Sequence, residues 1–349
     1  MKIENLVREN IKKLKPYTSA RDQYSEGILL DANENSLGTT ATEFEELHLN
    51  RYPDPKQHDL RTLVGELYSV NYENLFFGVG SDEIIDLLIR IFCVPGKDKV
   101  MILDPTYGMY KVACDINDVD TISVDLNSDF QIDFQNVEQN YSEEVKLIFL
   151  CSPNNPTGNL INRKDILKLC SSFNSIVIVD EAYMDFAGDN SLVDEVKNYK
   201  NLVVLRTFSK AWGLAGIRLG FCVADNLIID YLFKVKTPYN INSLTRFALL
   251  KAIGNRKLKD EFVTLLLSER ERVKAELQKL KGVIKVFNSD ANYVLFKCEN
   301  AVKVQKQLAD EGIIIRDRSS YRMLGNCLRL SIGTREENDK FLNSIKKIL

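Results

Sequence analysis

Short apolar runs alternate with amphipathic segments over much of this chain, and this alternation constrains its fold more than any other feature. The runs are rich in β-branched residues, whereas the segments between them repeat apolar residues at helical spacing. Parallel strands that helices cover on both faces have this near-continuous apolar character. The sequence therefore predicts an α/β fold whose large domain has three layers, with a mostly parallel sheet in the middle. Its predicted strands are 75–79, 99–103, 145–150, 175–179, 202–206 and 218–223, and its predicted helices are 58–70, 81–93, 106–116, 162–172 and 225–236.

The pattern changes after Pro238, where a long amphipathic helix is predicted over 257–281. Shorter strands and two further helices follow, as is typical of a smaller α+β domain. These strands are predicted at 283–287, 292–297, 312–316 and 327–332, with one helix at 300–311 and another that closes the chain. Because the N-terminal region is polar and broken, we predict three parts: an N-terminal arm that belongs partly to the small domain (1–50), a large domain (51–238) and a small C-terminal α+β domain (239–349).

The composition excludes several classes of function. The 349-residue chain carries a net charge of −3 and has no long run of Lys or Arg, so charge gives no reason to expect a nucleic acid or an acidic membrane surface as partner. No apolar run approaches the roughly 20 residues that span a bilayer, and the N-terminus lacks the layout of a signal peptide. The seven scattered cysteines form no C-x-x-C pair, which is typical of reduced thiols in a cytoplasmic protein.

Histidine is scarce, since only His48 and His58 occur. A histidine-based metal site or a Ser-His-Asp triad is therefore poorly supplied. We expect no metal, and we expect catalysis to depend on Lys, Asp, Tyr and Arg side chains.

One lysine stands in an unusual setting within the segment 207–220. Lys210 is surrounded by small, hydroxyl and glycine residues, and Arg218 follows eight positions later. This arrangement suits an amine that forms a Schiff base with an aldehyde cofactor, whose phosphate is held by hydroxyls and a guanidinium. A glycine-rich loop with a solvated lysine is the alternative for this segment taken alone.

An acidic pair, Asp180 and Glu181, directly follows an entirely apolar strand. Ligands of open α/β sheets bind beyond the carboxyl ends of the strands, and a carboxylate placed there needs a partner. A protonated pyridine nitrogen would be such a partner, and keeping it protonated makes the ring a good electron sink. The alternative is a carboxylate that caps a helix.

Three other strand ends carry weaker signals. The sequence Gly80-Ser81-Asp82 opens an apolar helix, whose free amides favour an anion such as phosphate. Tyr107 could stack on a flat ring, and Asn155 lies in a proline-rich turn that could aim its amide at a ligand oxygen. A plain capped helix, a packed turn tyrosine and a loop of turn formers are the respective alternatives.

In their order along the chain, the motifs resemble those of fold-type I pyridoxal-phosphate enzymes of the class I/II aminotransferase group, and the resemblance covers nearly the whole chain. Further stretches resemble the histidinol-phosphate aminotransferase branch of that group. They are Lys15-Pro-Tyr17 with Arg21, Leu30-Asp-Ala-Asn-Glu-Asn35, Arg51-Tyr-Pro-Asp-Pro55, Ile315-Arg-Asp317 and Cys327-Leu-Arg-Leu-Ser-Ile-Gly-Thr-Arg335.

The resemblance implies a role for each cofactor residue, with pyridoxal 5′-phosphate as the cofactor. Lys210 would form the Schiff base, and Asp180 would pair with the pyridine nitrogen. Asn155 and Tyr183 would hydrogen-bond the ring oxygen, and Tyr107 would stack on the ring. The residues that would surround the cofactor phosphate are Gly80, Ser81, Asp82, Thr207, Ser209 and Arg218.

The resemblance also implies a homodimer with shared sites, in which Tyr52 reaches the phosphate of the neighbouring subunit's cofactor. Arg329 would bind the anionic group beside the reacting carbon. The residues that would assist it in binding substrate are Tyr17, Asn33 and Arg316.

The implied reaction is the transfer of the amino group of L-histidinol phosphate to 2-oxoglutarate, which gives imidazole acetol phosphate and glutamate. One departure is visible: the family commonly has a Pro-aromatic pair where Ser36-Leu37 stands here, which leaves side-chain preference open. An aromatic amino-acid aminotransferase, a threonine-phosphate decarboxylase and a non-catalytic regulator that binds the cofactor remain as alternatives.

Overall fold

The computed structural model describes residues 2–16, 35 and 39–349, and two β-sheets organise this part of the chain. The larger sheet has seven strands in the order β1-β7-β6-β5-β4-β2-β3. Its strands are β1 (Leu75–Val79), β2 (Lys99–Asp104), β3 (Asp120–Asp125), β4 (Val145–Cys151), β5 (Ile176–Asp180), β6 (Leu202–Thr207) and β7 (Leu219–Val223). The neighbours from β3 to β6 pair in parallel, whereas β7 is antiparallel to both β6 and β1.

Helices cover both faces of this sheet. They are α1 (Glu9–Lys13), α2 (His58–Tyr68), α3 (Gly80–Phe92), α4 (Met109–Ile116), α5 (Phe134–Asn140), α6 (Arg163–Ser172) and α7 (Asn226–Val235). The strands separate two apolar cores: on β4, Ile148 and Leu150 belong to the core that α2, α5 and α6 complete, and Leu147 and Phe149 belong to the core under α3, α4 and α7. This alternation explains why the central strands are apolar throughout, since each face is buried.

The smaller sheet is antiparallel, with the strand order β10-β11-β9-β8. Its strands are β8 (Val283–Val286), β9 (Tyr293–Cys298), β10 (Arg316–Asp317) and β11 (Cys327–Ser331), and the helices beside it are α8 (Ser243–Gly254), α9 (Arg256–Gln278), α10 (Ala301–Asp310) and α11 (Arg335–Ile348). Its own apolar core joins Leu277 of α9, Leu308 of α10 and Phe341 of α11 to the sheet. The fold class predicted from the sequence is therefore confirmed, while the domain boundaries at 50 and 238 stay predictions.

Several predicted elements differ from the structure. The helix predicted from residue 106 begins at Met109, because the preceding residues form the turn that leaves β2. The strand predicted at 312–316 is limited to Arg316–Asp317, where the chain pairs with β11. The strand β3 and the helices α5 and α8 were not predicted, and only Thr245 and Leu249 of α8 are buried.

No helix in the described part of the chain is long and apolar enough to cross a lipid bilayer. The same residues contain no group of three or more metal-ligating side chains. All seven cysteines are buried free thiols.

Candidate active site

A cavity of about 210 Å³ lies at the carboxyl ends of the parallel strands. It collects residues from β4, β5, β6 and the start of α3, which are far apart in the sequence but meet at one sheet edge. The lining residues are Gly80, Ser81, Asp82, Tyr107, Cys151, Asn155, Asp180, Ala182, Tyr183, Thr207, Ser209, Lys210, Ala215 and Arg218. The structure thus brings together all of the predicted cofactor residues except Tyr52.

A larger cavity of about 740 Å³ lies between α2 and α7. The guanidinium of Arg61 in its wall lies between the rings of Tyr72 and Phe233, at 3.7 and 4.7 Å from their centroids. It also donates hydrogen bonds to the carbonyl oxygens of Tyr72 and Lys56. The guanidinium of Arg61 is therefore already packed and hydrogen-bonded within the chain. The smaller cavity, which collects the predicted cofactor residues, is the candidate site.

One end of the smaller cavity is built to hold an anion. The N–H of Gly80 donates to the carbonyl oxygen of Arg218 at 2.9 Å, but no side chain caps the first turn of α3, so the amides that follow Gly80 are available there. Gly80 has φ +72°, and a Cβ at this position would lie 2.6 Å from Nη2 of Arg218. That guanidinium is 3.3 Å from Oδ2 of Asp82. Free amides and a guanidinium at one end of a cavity fit a phosphate group.

Two further features complete this anion end. The hydroxyl of Thr207 donates to Oγ of Ser209 at 3.0 Å and accepts from the backbone N–H of Ser209 at 3.1 Å. Beneath them, β7 approaches the start of α3 so closely that a Cβ on Gly220 would lie 2.5 Å from the backbone N of Ser81. The glycine at this position is therefore a steric requirement of the site.

At the other end, Asp180 closes β5 with a side chain that is only 3% exposed. Its Oδ2 accepts a hydrogen bond from the hydroxyl of Tyr110 at 2.9 Å, and its Oδ1 accepts one from the N–H of Ala182 at 3.0 Å. No lysine or arginine of the described residues lies within 4.0 Å of it. Burial raises the pKa of Asp180 to about 6, and the two hydrogen bonds oppose that rise. A buried carboxylate of this kind fits a cationic ligand group.

Lys210 is accessible from the cavity, and its Nζ lies 5.5 Å from the centroid of the Tyr183 ring. Partial desolvation between the cavity walls lowers the pKa of Lys210, and the charge of Arg329 lowers it further. A lysine with a lowered pKa is more often neutral near pH 7, as a nucleophile or base must be.

Further polar groups lie in or beside the cavity wall; Arg329 does not line the cavity but contacts the lining residue Asn155. Arg329 Nη1 donates to Oδ1 of Asn155 at 2.5 Å, and the Tyr107 hydroxyl donates to Oδ1 of Asp82 at 3.3 Å. Burial raises the pKa of the Tyr183 hydroxyl, which therefore remains a hydrogen-bond donor.

Four predicted residues lie apart from the cavity or outside the described residues. Arg316 is exposed, although its Cα is paired with that of Arg329 across β10 and β11. Tyr52 is 51% exposed and stacks on Tyr239, with 4.5 Å between the ring centroids. Tyr17 and Asn33 lie outside the residues that the structure describes.

Two residues near the site were not predicted from the sequence. Tyr110 contacts Asp180, a residue 70 positions away, and no local pattern announces that contact. Arg318 is half-buried, and its Nε has no hydrogen-bond partner among the described residues. Arg318 follows β10 directly, and its backbone N–H donates to the carbonyl oxygen of Cys327. A spacing of two from Arg316 therefore puts both side chains on one face of the extended chain, a signal that the sequence did contain.

Sequence comparison shows which known proteins this chain is similar to. Residues 25–345 match the family model for aminotransferase class I and II. The histidinol-phosphate aminotransferase of Cytophaga hutchinsonii is 46% identical over 346 residues, which are 99% of this chain and 98% of that protein.

Solved structures give similar matches. The histidinol-phosphate aminotransferase from Clostridium acetobutylicum superposes with a TM-score of 0.80 at 27% identity, covering 91% of this chain and 97% of that one. The enzyme of that name from Sinorhizobium meliloti, solved in complex with pyridoxal-5′-phosphate, has a TM-score of 0.78 and covers 98% of each chain, and at 20% identity it supports the fold alone.

Proposed function

Since the chain belongs to the class I and II aminotransferases, we propose that it transfers the amino group of L-histidinol phosphate to 2-oxoglutarate, with pyridoxal 5′-phosphate as cofactor. The products are imidazole acetol phosphate and glutamate, and the reaction belongs to histidine biosynthesis. The observation that carries this proposal is that Lys210, Asp180 and an anion-binding helix start face one cavity.

The residues of the cavity fit this cofactor. The buried carboxylate of Asp180 matches a protonated pyridine nitrogen, and the anion end at Gly80 and Arg218 matches the phosphate. Lys210 is the amine that would hold the aldehyde carbon. When bound, pyridoxal phosphate supplies an electron sink for the negative charge left on the substrate's Cα.

The side chains of the cavity then have separate roles in proton transfer and in orienting the cofactor. Lys210 Nζ moves the proton from the substrate's Cα, and its lowered pKa suits it to act as a base near neutral pH. Asp180 would keep the ring nitrogen protonated. Asn155 and Tyr183 would orient the ring through its oxygen, and Tyr107 would pack against the ring.

The site must also bind two substrates that carry different anions. Arg329 lies beside Asn155 and can bind the carboxylate of glutamate or the phosphate of histidinol phosphate, because a guanidinium fork fits either group. A dianionic phosphate favours more positive charge than a carboxylate does. The arginines that can add it are Arg316 and Arg318 on the same small sheet.

We further propose that the protein is a cytoplasmic homodimer in which Tyr52 completes the partner's site. The seven free thiols support a reducing compartment. The exposed Tyr52 ring, which does not line the cavity of its own subunit, supports a contact across the interface.

A half-reaction tests the proposed substrate. Protein loaded with pyridoxal phosphate is mixed with L-histidinol phosphate in the absence of any keto acid, and the absorbance of the bound cofactor is followed. We expect conversion to the amine form, restoration of the starting spectrum by 2-oxoglutarate, and a much slower reaction with phenylalanine. A faster reaction with phenylalanine would instead indicate an aromatic aminotransferase, and turnover of threonine phosphate that needs no keto acid would indicate a decarboxylase.

A further inference from the structure

Tyr110 is fully buried on α4 and is fixed by aromatic contacts on two sides. Its ring stacks on Phe149 with 4.9 Å between centroids, and it meets Tyr107 edge-on at 5.5 Å. The hydroxyl therefore has a fixed position, 2.9 Å from Oδ2 of Asp180. A hydrogen bond from a neutral donor to a buried carboxylate is among the stronger kinds in proteins.

The carboxylate of Asp180 is held by one donor on each oxygen. The N–H of Ala182 fixes Oδ1 and the Tyr110 hydroxyl fixes Oδ2, while the side chain still lines the cavity. The first of these contacts is local, because Ala182 is only two residues away. The hydrogen bond from Tyr110 joins α4 to β5. It fixes the position of the carboxylate relative to Tyr107, the residue proposed to stack on the cofactor ring.

Groups on every neighbouring element act on the charge of Asp180. Burial raises its pKa, Asp82 on α3 raises it further, and Lys210 after β6 lowers it. Cys151 at the end of β4 is a buried thiol whose own raised pKa keeps it neutral. Burial also raises the pKa of Tyr110, so its hydroxyl stays protonated and donates throughout the working pH range.

We propose that Tyr110 is a positioning residue for the cofactor, whose hydroxyl keeps the Asp180 carboxylate ionised and oriented toward the protonated ring nitrogen. This inference rests on the proposed cofactor chemistry, but not on the identity of the amino donor. Tyr110 acts through Asp180 and does not line the cavity itself.

The test is the affinity of the cofactor-free protein for pyridoxal phosphate, measured by titration between pH 6 and pH 9 for the wild type and for Tyr110→Phe. The phenylalanine keeps the ring packing and removes only the hydroxyl. We expect the dissociation constant to rise about tenfold or more near neutral pH. This loss of affinity should become smaller as the pH rises, because Asp180 then ionises even without the hydrogen bond from Tyr110.

A cofactor analogue with carbon in place of the ring nitrogen separates positioning from simple packing. Wild type and Tyr110→Phe should bind this analogue with the same affinity, since it gives Asp180 nothing to pair with. Likewise, Tyr110→Phe should add no effect in an Asp180→Asn background. Tyr141→Phe is the matched control. The hydroxyl of Tyr141 hydrogen-bonds Oγ of Ser175 and accepts from the N–H of Asn174, at the opposite end of β5 from Asp180.

Two results would overturn the proposal: equal affinity of wild type and Tyr110→Phe for pyridoxal phosphate at every pH, or an equal loss for the cofactor and the analogue. The second would assign Tyr110 to packing alone. Failure of the wild type itself to bind pyridoxal phosphate would instead count against the proposed function. The two failures are therefore distinguishable.

Discussion

At the scale of single residues, we expect the arginines of the small sheet to decide which anion the site prefers. Arg316 and Arg329 are paired across β10 and β11, and the backbone N–H of Arg318 continues that pairing by donating to the carbonyl oxygen of Cys327 at 2.9 Å. All three side chains therefore start on the same face of the sheet. Of these three arginines, Arg318 and Arg329 are partly buried, and the Nε of each has no hydrogen-bond partner among the described residues.

We expect Arg318→Ala to raise the KM for histidinol phosphate about tenfold or more, and to change the KM for glutamate much less, because the phosphate loses a charged hydrogen-bond donor. Arg316→Ala is the matched variant, and the exposure of Arg316 predicts a smaller effect. Steady-state kinetics with both substrates checks this. If either variant affected the two substrates equally, a phosphate-specific role for that arginine would fail.

The burial of Asp180 has a cost in stability. Its pKa is about 6 in the folded protein and 3.8 for an ordinary aspartate. The folded state thus binds the proton more tightly, so stability falls as the pH rises between these values, by about 3 kcal/mol for a two-unit difference. The neutral amide of Asp180→Asn avoids that cost.

We therefore expect the cofactor-free Asp180→Asn variant to be more stable than the wild type at pH 8, by up to about 3 kcal/mol. The difference should largely disappear near pH 4, where the wild-type carboxyl is protonated. Urea unfolding at the two pH values measures it. A variant that is less stable than the wild type at pH 8 would contradict the assignment of a costly buried carboxylate.

At the scale of the elements, the anion end depends on the close approach of β7 to the start of α3. A Cβ on Gly220 would lie 2.5 Å from the N of Ser81 and 2.7 Å from the C of Gly80, which are backbone atoms that cannot rotate away. The first turn of α3 would have to shift, and its amides would move with it.

We expect Gly220→Ala to destabilise the protein by about 1–3 kcal/mol and to weaken the binding of pyridoxal phosphate. Gly216→Ala is the control, since a Cβ there, four residues before Gly220, meets no atom within 4 Å. Its effect on stability should stay within about 0.5 kcal/mol. Thermal unfolding and cofactor titration of both variants check this, and equal behaviour of the two would show that the close approach does not matter.

The elements also show which parts of the fold the sequence could predict. The strand β5 was predicted because both of its faces are buried, which makes every residue before Asp180 apolar. The strand β3 was missed because it pairs on one side only, and four of the six residues in its Asp-Thr-Ile-Ser-Val-Asp sequence are polar. Most of the predicted cofactor residues follow strand ends, where position along the chain predicts position in the fold.

The remaining site residues depend on contacts that have no local signature. Tyr110 is the clearest case. It lies on α4, the helix between β2 and β3, whereas its hydrogen-bond partner Asp180 ends β5. Arg318 is such a case only in part: its spacing of two from Arg316 is visible in the sequence, but its burial follows from the pairing of its backbone N–H with the carbonyl oxygen of Cys327.

At the scale of the whole molecule, the proposed homodimer makes a definite prediction. A subunit with Lys210→Ala still carries Tyr52, and a subunit with Tyr52→Ala still carries Lys210. If Tyr52 serves the neighbouring subunit, a hybrid of the two variants contains one intact site.

We therefore expect mixing of the two variants, after dissociation and reassociation, to restore up to about half the activity of a wild-type dimer in the hybrid fraction. Each variant treated alone is the control and should stay nearly inactive. Activity that does not recover in purified hybrids would show that Tyr52 acts in its own subunit or not at all.

The most direct test of the central claim is to find which residue holds the cofactor. The protein is loaded with pyridoxal phosphate, reduced with borohydride to make the lysine linkage permanent, digested and mapped by mass spectrometry. We expect the pyridoxyl group on the peptide that contains Lys210, and its loss in Lys210→Ala. A label on another lysine, or no label at all, would contradict the assignment of this cavity as the active site.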